Sequence, residues 1–417
     1  MRILALSSPP GQCGIGDYNA TLCASLRSQG HHVDLIELRQ AGDRIAPLRQ
    51  FAAQIAGYDA AVIQHEFSFF GETHRAQFGH FADVLGDLQR AGRPAVAFLH
   101  TDLTIPLKAR PLFRPFSRAW RDRSERRRMI NTLNRANLRI FMHSEASRAG
   151  CGDIGVDVSR IESITFPMQP APALVEPRPL SETDIVELTI FGFVSEYKGH
   201  EVALKALRLL PDNYVLNIAG QTHPFQPNDR TLNAIYGFLH TGEWLSSAEF
   251  KPVPYVKRDF TDAERAALAK RVRVTGYLSP EQVATVMNRS DIVLLPYRLG
   301  PSGSAALGTA LSFARPTIAS AIPGFLNVAR QSDCFRIVPI DAAYQLAETI
   351  RAIAMNHAER QRMFHAARRF AETNSFDALA QKCVRTLAEL SGRDAGQRLA
   401  GNTESPLRSV ATGSEAR

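Results

Sequence analysis

Glu187-Leu-Thr-Ile-Phe-Gly-Phe-Val-Ser-Glu-Tyr-Lys-Gly-His200 is the stretch on which the fold turns. Its first half is an apolar, β-rich run without strict alternation, as suits a strand buried on both faces of a parallel sheet. Glycines then break the run, and an amphipathic helix is expected over Glu201 to Leu210. Strand, glycine-bearing loop and helix in immediate succession make a βα unit of a doubly wound sheet, where ligands sit beyond the strand carboxyl ends. Lys198 stands at the amino end of that helix, which the helix dipole alone disfavours for a cation. An anion held jointly by Lys198 and the helix amides compensates such a placement; a solvated surface lysine is the other reading.

The pattern repeats on both sides of this unit. C-terminal to it, strand candidates fall at Tyr214 to Gly220, Val272 to Gly276, Asp291 to Pro296, Pro316 to Ser320 and Arg336 to Pro339. N-terminal to it they fall at Arg2 to Leu6, His32 to Leu38, Asp59 to His65, Ala95 to His100 and Leu138 to His143, with helical patterns between. Phe166 to Thr183 holds five prolines and no periodicity, and reads as an interdomain linker. The expected architecture is α/β: two Rossmann-like, doubly wound parallel-sheet domains, residues 1–168 and 184–375, facing a crevice. Residues 392–417 carry few large apolar side chains and read as a disordered tail.

Two further loops have the strand-to-helix character of the first. Gly11-Gln-Cys-Gly14-Ile-Gly16 opens the first helix, and its spacing is neither GxGxxG nor a Walker A loop. Ligand contact and plain turn chemistry both account for it. Pro296-Tyr-Arg298-Leu-Gly-Pro-Ser302-Gly303-Ser304 is the other, and three such loops can converge on one diphosphate. No DxD occurs, so cationic groups and amide dipoles are expected to neutralise it in place of a metal. His65-Glu66 and His100 end apolar strands, which places them at a crevice where sugar contacts are made; a structural histidine is the alternative in each case.

The chain has 417 residues, of which 45% are hydrophobic and 22% charged, with a net charge of +8. That is ordinary globular usage at two-domain length. Between Lys108 and Arg128 lie nine Lys or Arg against Asp122 and Glu125, which accounts for nearly all of the excess. Phe113, Phe116 and Trp120 sit at helical spacing within it, and Met129, Ile130 and Leu133 continue an apolar face. A basic amphipathic segment with aromatic anchors suits an anionic membrane surface; RNA binding or a solvated helix has a similar pattern. The five cysteines are scattered, with no CxxC, so neither a disulfide framework nor a zinc ribbon is expected. No signal peptide or run of 18 apolar residues is evident, which leads to the expectation of a cytoplasmic protein with surface attachment to the plasma membrane left open.

Taken together, these residues resemble the GT-B nucleotide-sugar glycosyltransferases, and among them the retaining, GT4-like bacterial enzymes of surface-polysaccharide assembly. The carriers are Pro10 to Tyr18, Gln64-His-Glu-Phe67, Leu99-His-Thr-Asp102, His143-Ser-Glu145, Phe191 to His200, Val274 to Leu278, Ser290 to Arg298, and Ser302-Gly303 through Ser320. The resemblance covers about residues 1–391. It implies transfer of a hexose from a nucleotide-diphosphate sugar to a glycan or lipid-linked acceptor, without a cofactor, metal or nucleic-acid partner. Lys198 and His100 would be catalytic, Lys198 at the diphosphate and His100 at the donor sugar. Gly14, Gly16, Gly192, Arg298, Ser302, Gly303 and Thr309 would bind the donor, and His65 and Glu66 would lie on the acceptor side. Residues 376–391 resemble the helix that crosses back to the first domain, with Phe376 where many members have Trp. Two departures stand out. Phe193 replaces the usual Arg after the loop glycine, and Pro301 and Thr309 stand near the places of the paired glutamates. A GT-B epimerase and a degenerate GT-B binding subunit are the competing readings.

Overall fold

The computed structural model describes residues 1–38, 43–101, 103, 118–171, 173–222, 229–241, 260–299 and 304–401. The chain divides into two compact units. Unit 1 holds Met1–Phe141, Cys151–Glu162 and the chain from Ala380; unit 2 holds Met142–Gly150 and Ser163–Leu379.

Unit 1 is built on a six-stranded sheet of β1 (Arg2–Ser7), β2 (His32–Glu37), β3 (Ala60–His65), β4 (Ala95–Leu99), β5 (Leu138–Met142) and β6 (Ile161–Ser163). The spatial order is β2-β1-β3-β4-β5-β6, with parallel β1–β2, β1–β3 and β3–β4 pairings. Every residue of β3 and β4 is buried, because helices cover both faces. Succession reverses between β1 and β3, and a switch point opens there.

Unit 2 repeats the scheme with β7 (Val186–Phe191), β8 (Tyr214–Ala219), β9 (Val272–Val274), β10 (Ile292–Leu295), β11 (Thr317–Ser320) and β12 (Arg336–Val338). Its order is β12-β11-β10-β7-β8-β9, all pairs parallel, so its switch point lies between β7 and β10. Leu188, Ile190, Leu216, Ile292 and Ile318 join one apolar core under the covering helices. Capping boxes at Thr261/Glu264 and Ser279/Gln282 start two of those helices where the sequence has S/T-x-x-E/Q.

Among its described residues the proline-rich stretch before β7 belongs to no helix or named strand, Met168 making one isolated bridge to Ser375, and buried arginines pin it within unit 2. Arg360 Nη2 donates to Arg178 O at 2.7 Å, and the Arg315 guanidinium donates to Val175 O. The last helix runs from Phe376 to Gly401, ten residues past the end at 391 read from the sequence. Between Gly392 and Gly396, Arg, Asp and Ala are tolerated in a helix, and Gln397, Arg398, Leu399 and Ala400 are good helix formers. The tail beyond Gly401 lies outside the described residues.

Candidate functional site

In unit 2 the loops that follow β7 and β10 leave neighbouring strands on either side of the switch point. After β7, Gly192 takes φ +95°, and its amide donates to Ala219 O at 3.0 Å. A Cβ there would lie 2.9 Å from Lys198 Nζ, so glycine leaves room for the ammonium. Glu196–Lys198 form one 3-10 turn closed by Gly199 at φ +67°. A Cβ on Gly199 would fall 2.0 Å from Pro296 O; the glycine therefore locks the β7 loop against the end of β10.

Lys198 is 5% exposed. Its Nζ donates to Phe191 O at 3.4 Å and lies 5.7 Å from the Tyr297 ring centroid. Among the described residues no carboxylate pairs with it, and burial lowers its pKa from 10.5 to about 8. A desolvated cation without a counterion, one turn before a helix amino end, is relieved by a bound anion. The turn that carries it is held by Asp229, a residue the sequence reading did not single out. Asp229 Oδ2 accepts from Ser195 Oγ at 2.5 Å, and Oδ1 accepts from Thr231 N at 2.9 Å and Thr231 Oγ1 at 2.5 Å. Burial raises its pKa, but these bonds and one from the Glu196 amide outweigh it and leave the carboxylate below its ordinary range. The available signal was Asp229-Arg-Thr231 ahead of Leu232, Ile235 and Phe238, an N-cap ahead of an apolar helical face.

Arg298, expected at the donor, is engaged by two carboxylates. Its Nε donates to Asp341 Oδ1 at 2.6 Å, its Nη2 pairs with Glu201, and its backbone N donates to Tyr197 O at 2.8 Å. Glu201 is 1% exposed; burial raises its carboxyl pKa and the Arg298 charge pulls it back down. This guanidinium thus ties the β10 loop to the His200–Arg208 helix and to the segment after β12. His200, wholly buried beside Lys198, is held neutral, with its pKa lowered to about 3 by burial first and by the Lys198 charge second. Thr309 lies on the Ala305–Ser312 helix, where its Oγ1 donates to Ala305 O at 2.9 Å. Ser302 and Gly303 lie outside the described residues.

In unit 1, Gly14 opens the Gly14–Ser28 helix with open space where a Cβ would stand. Gly16 has a packing reason for its identity, since a Cβ there would fall 2.1 Å from Pro9 O. Asp17 occupies the first turn, its Oδ1 accepting from Gly11 N at 2.7 Å. His65, expected on the acceptor side, is fully buried among Phe67, Phe70 and Phe81, with centroids 4.8, 5.3 and 4.3 Å away. Burial lowers its pKa to about 3, and the ring packs as an aromatic. The Glu66 carboxylate caps the short Phe67–Phe70 helix by accepting from Ser68 N at 2.5 Å. His100 follows β4; its Nε2 contacts Gln64 Oε1 at 2.7 Å and the Tyr18 ring stands edge-on to it, centroids 5.1 Å apart.

Residues 181–370 match the glycosyl transferases group 1 family. The fold matches that of HepE from Anabaena in complex with UDP-glucose, with TM-score 0.62 and 15% identity over 93% of this chain and 100% of that one. It also matches sucrose-phosphate synthase from Thermosynechococcus elongatus (TM-score 0.61, 16% identity, 96% and 100% covered) and WaaG, a glycosyltransferase involved in lipopolysaccharide biosynthesis (0.56, 14%, 92% and 98%). The chain has the GT-B glycosyltransferase fold. No curated protein matches it in sequence.

The basic segment enters the described residues at the Arg118–Arg135 helix; Lys108, Phe113 and Phe116 lie outside them. Met129, Ile130 and Leu133, read from the sequence as part of a membrane-facing side, are buried. They belong to the core because this helix packs on His74–Ala91, with Arg128 paired to Asp83 across the contact. Arg121 and Arg127 are exposed.

Proposed function

We propose that this protein transfers a hexosyl group from a nucleotide-diphosphate sugar to a glycan or lipid-linked acceptor, with retention of configuration, in GT4-like polysaccharide assembly at the cytoplasmic membrane face. The observation that carries the reading is Lys198: a buried, unpaired ammonium beside a helix amino end at the switch point of the family-matched domain. Negative charge grows on the leaving diphosphate as the glycosidic bond breaks, and a preorganised cation with backbone amides stabilises that charge more than the ground state. The same cation supplies what a metal ion supplies in metal-dependent enzymes, so transfer is expected to persist in EDTA. His100 would meet the donor sugar. A bound UDP-glucose in HepE and the lipopolysaccharide role of WaaG support a nucleotide sugar and a surface glycan.

An epimerase needs a free acid/base pair on the sugar side. His65 is enclosed by phenylalanines and Glu66 is spent on a helix cap, which favours transfer. The test is a thermal-shift panel of UDP-glucose, UDP-galactose and GDP-mannose, followed by nucleotide release with and without oligosaccharide acceptors. A donor at 100 times its Kd adds about 2.7 kcal/mol of stability. Acceptor-dependent release is expected. Release without acceptor together with C2 inversion points to epimerisation, and absence of binding by every nucleotide points to a non-catalytic subunit.

A further inference from the structure

The geometry points to Gln64 as the residue that positions His100, through a buried amide chain that continues to Asn19. Gln64 sits on β3 beside β4, and neither its side chain nor that of Asn19 reaches solvent. Gln64 Oε1 contacts His100 Nε2 at 2.7 Å, and Gln64 Nε2 donates to Asn19 Oδ1 at 3.1 Å. The His100 backbone is fixed independently, its N donating to His65 O at 3.1 Å. With the backbone held by the sheet and Tyr18 standing edge-on to the ring, the Gln64 contact restrains rotation about the His100 side-chain bonds.

Two features separate this chain from ordinary core packing. A glutamine on a wholly buried strand loses its water, and the loss is recovered only if both ends of the amide are paired. Leucine or valine fits such a strand at no polar cost, and the flanking positions Ile63 and Val62 are of that kind. Secondly, an amide presents a neutral partner to the imidazole. A carboxylate in the same place would favour the charged ring, whereas the amide holds the ring's orientation without that bias. Gln64 is therefore a positioning residue, acting through His100, and Asn19 fixes which way the Gln64 amide faces.

The inference rests on reading His100 as a contact to the donor sugar, and the experiment keeps the two apart. Transfer from, or slow hydrolysis of, the best-binding nucleotide sugar is measured for the unaltered protein, Gln64→Leu and Gln64→Glu, alongside UDP binding by calorimetry and thermal unfolding. Inactivity of the unaltered protein overturns the transferase reading itself. With that protein active, Gln64→Leu is expected to lower kcat at least tenfold while the Kd for UDP, held in the other unit, changes less than twofold. Gln64→Glu keeps an acceptor for the ring; it is expected to recover most of kcat and to move the acid limb of the kcat/KM profile to higher pH. The inference is overturned by an unaltered kcat in Gln64→Leu, by parallel loss of kcat and UDP binding, or by a Gln64→Glu enzyme no better than Gln64→Leu with an unmoved acid limb.

Discussion

If Lys198 holds the donor diphosphate as proposed, a buried ammonium that costs the unliganded protein stability also supplies affinity, so its removal should move the two in opposite directions. Its folded pKa, about 8, lies below the ordinary 10.5. The unfolded chain then binds the extra proton between those values, and stability rises with pH across that window. Below pH 8 the burial penalty is present in full. Lys198→Met should therefore raise the melting temperature of the empty protein at pH 7, by about 2–4 °C for each kcal/mol recovered, with the gain fading towards pH 10.5. The same variant should lose UDP binding and at least 100-fold in transfer rate. A diphosphate raises the lysine pKa again, so the affinity of the unaltered protein for UDP should fall roughly tenfold per unit above pH 8. Lys198→Arg should abolish that fall, because arginine stays charged. UDP affinity flat from pH 7 to 9.5 would remove Lys198 from the site. Thr309 makes a smaller claim. Its hydroxyl proton is spent on Ala305 O, which leaves it able only to accept from a ribose hydroxyl. Thr309→Ala should raise the donor KM by less than tenfold, under about 1.4 kcal/mol, and a hundredfold rise would show that the hydroxyl holds the ribose.

At the scale of elements, the Arg298 bracket is the least obvious device in unit 2. It joins the β10 loop, the helix after Lys198 and the segment after β12 through Glu201 and Asp341. Removing one partner of a buried pair leaves the other uncompensated, so Arg298→Ala should cost about 3–5 kcal/mol in urea unfolding. Arg298→Leu with Glu201→Leu should recover most of that. Equal losses in the single and double variants would show that the Arg298–Glu201 pair is not what holds these segments together. Nothing in the spacing of residues 201, 298 and 341 announces this bracket, because it is made where a helix and two chain-distant loops meet. The strands were legible for the opposite reason. Parallel strands covered on both faces are continuous apolar runs ended by Gly or Pro, and eleven of the expected strands stand within about two residues of their read boundaries. The edge strand Ile161–Ser163 has one apolar residue, Ile161, ahead of Glu162 and Ser163, and so lacks the apolar run that marks the others. Among the site residues, Lys198 was legible because a cation at a helix amino end breaks a rule, whereas the burial of His65 depends on Phe81, sixteen residues away. The run Phe67, Phe69, Phe70 beside it was the visible hint.

For the whole molecule, the net charge of +8 overstates what is free to act at a distance. Arg271, Arg315 and Arg360 are buried and spend their donors on backbone carbonyls of unit 2. Arg128 is paired with Asp83 and Glu125, and Arg126 is partly buried. What remains on the Arg118–Arg135 helix is an exposed set that includes Arg121 and Arg127, while the apolar side of that helix faces the core. Met129, Ile130 and Leu133, expected to continue the apolar face beyond the aromatic anchors, are then not available to a membrane, and attachment through the described part of this helix would be electrostatic. Each basic group near an anionic leaflet contributes about 1 kcal/mol, and the attraction falls off within a Debye length of about 8 Å at physiological salt. Binding to vesicles containing phosphatidylglycerol should weaken steeply between 0.05 and roughly 0.5 M salt. Neutral phosphatidylcholine vesicles should bind little at any salt. Arg121→Glu with Arg127→Glu, both solvent-facing, should raise the vesicle Kd at least tenfold and leave the melting temperature and UDP affinity unchanged. If that double variant binds anionic vesicles as the unaltered protein does, the helix is not the membrane surface, and the charge excess reflects solubility and the internal carbonyl-binding arginines alone.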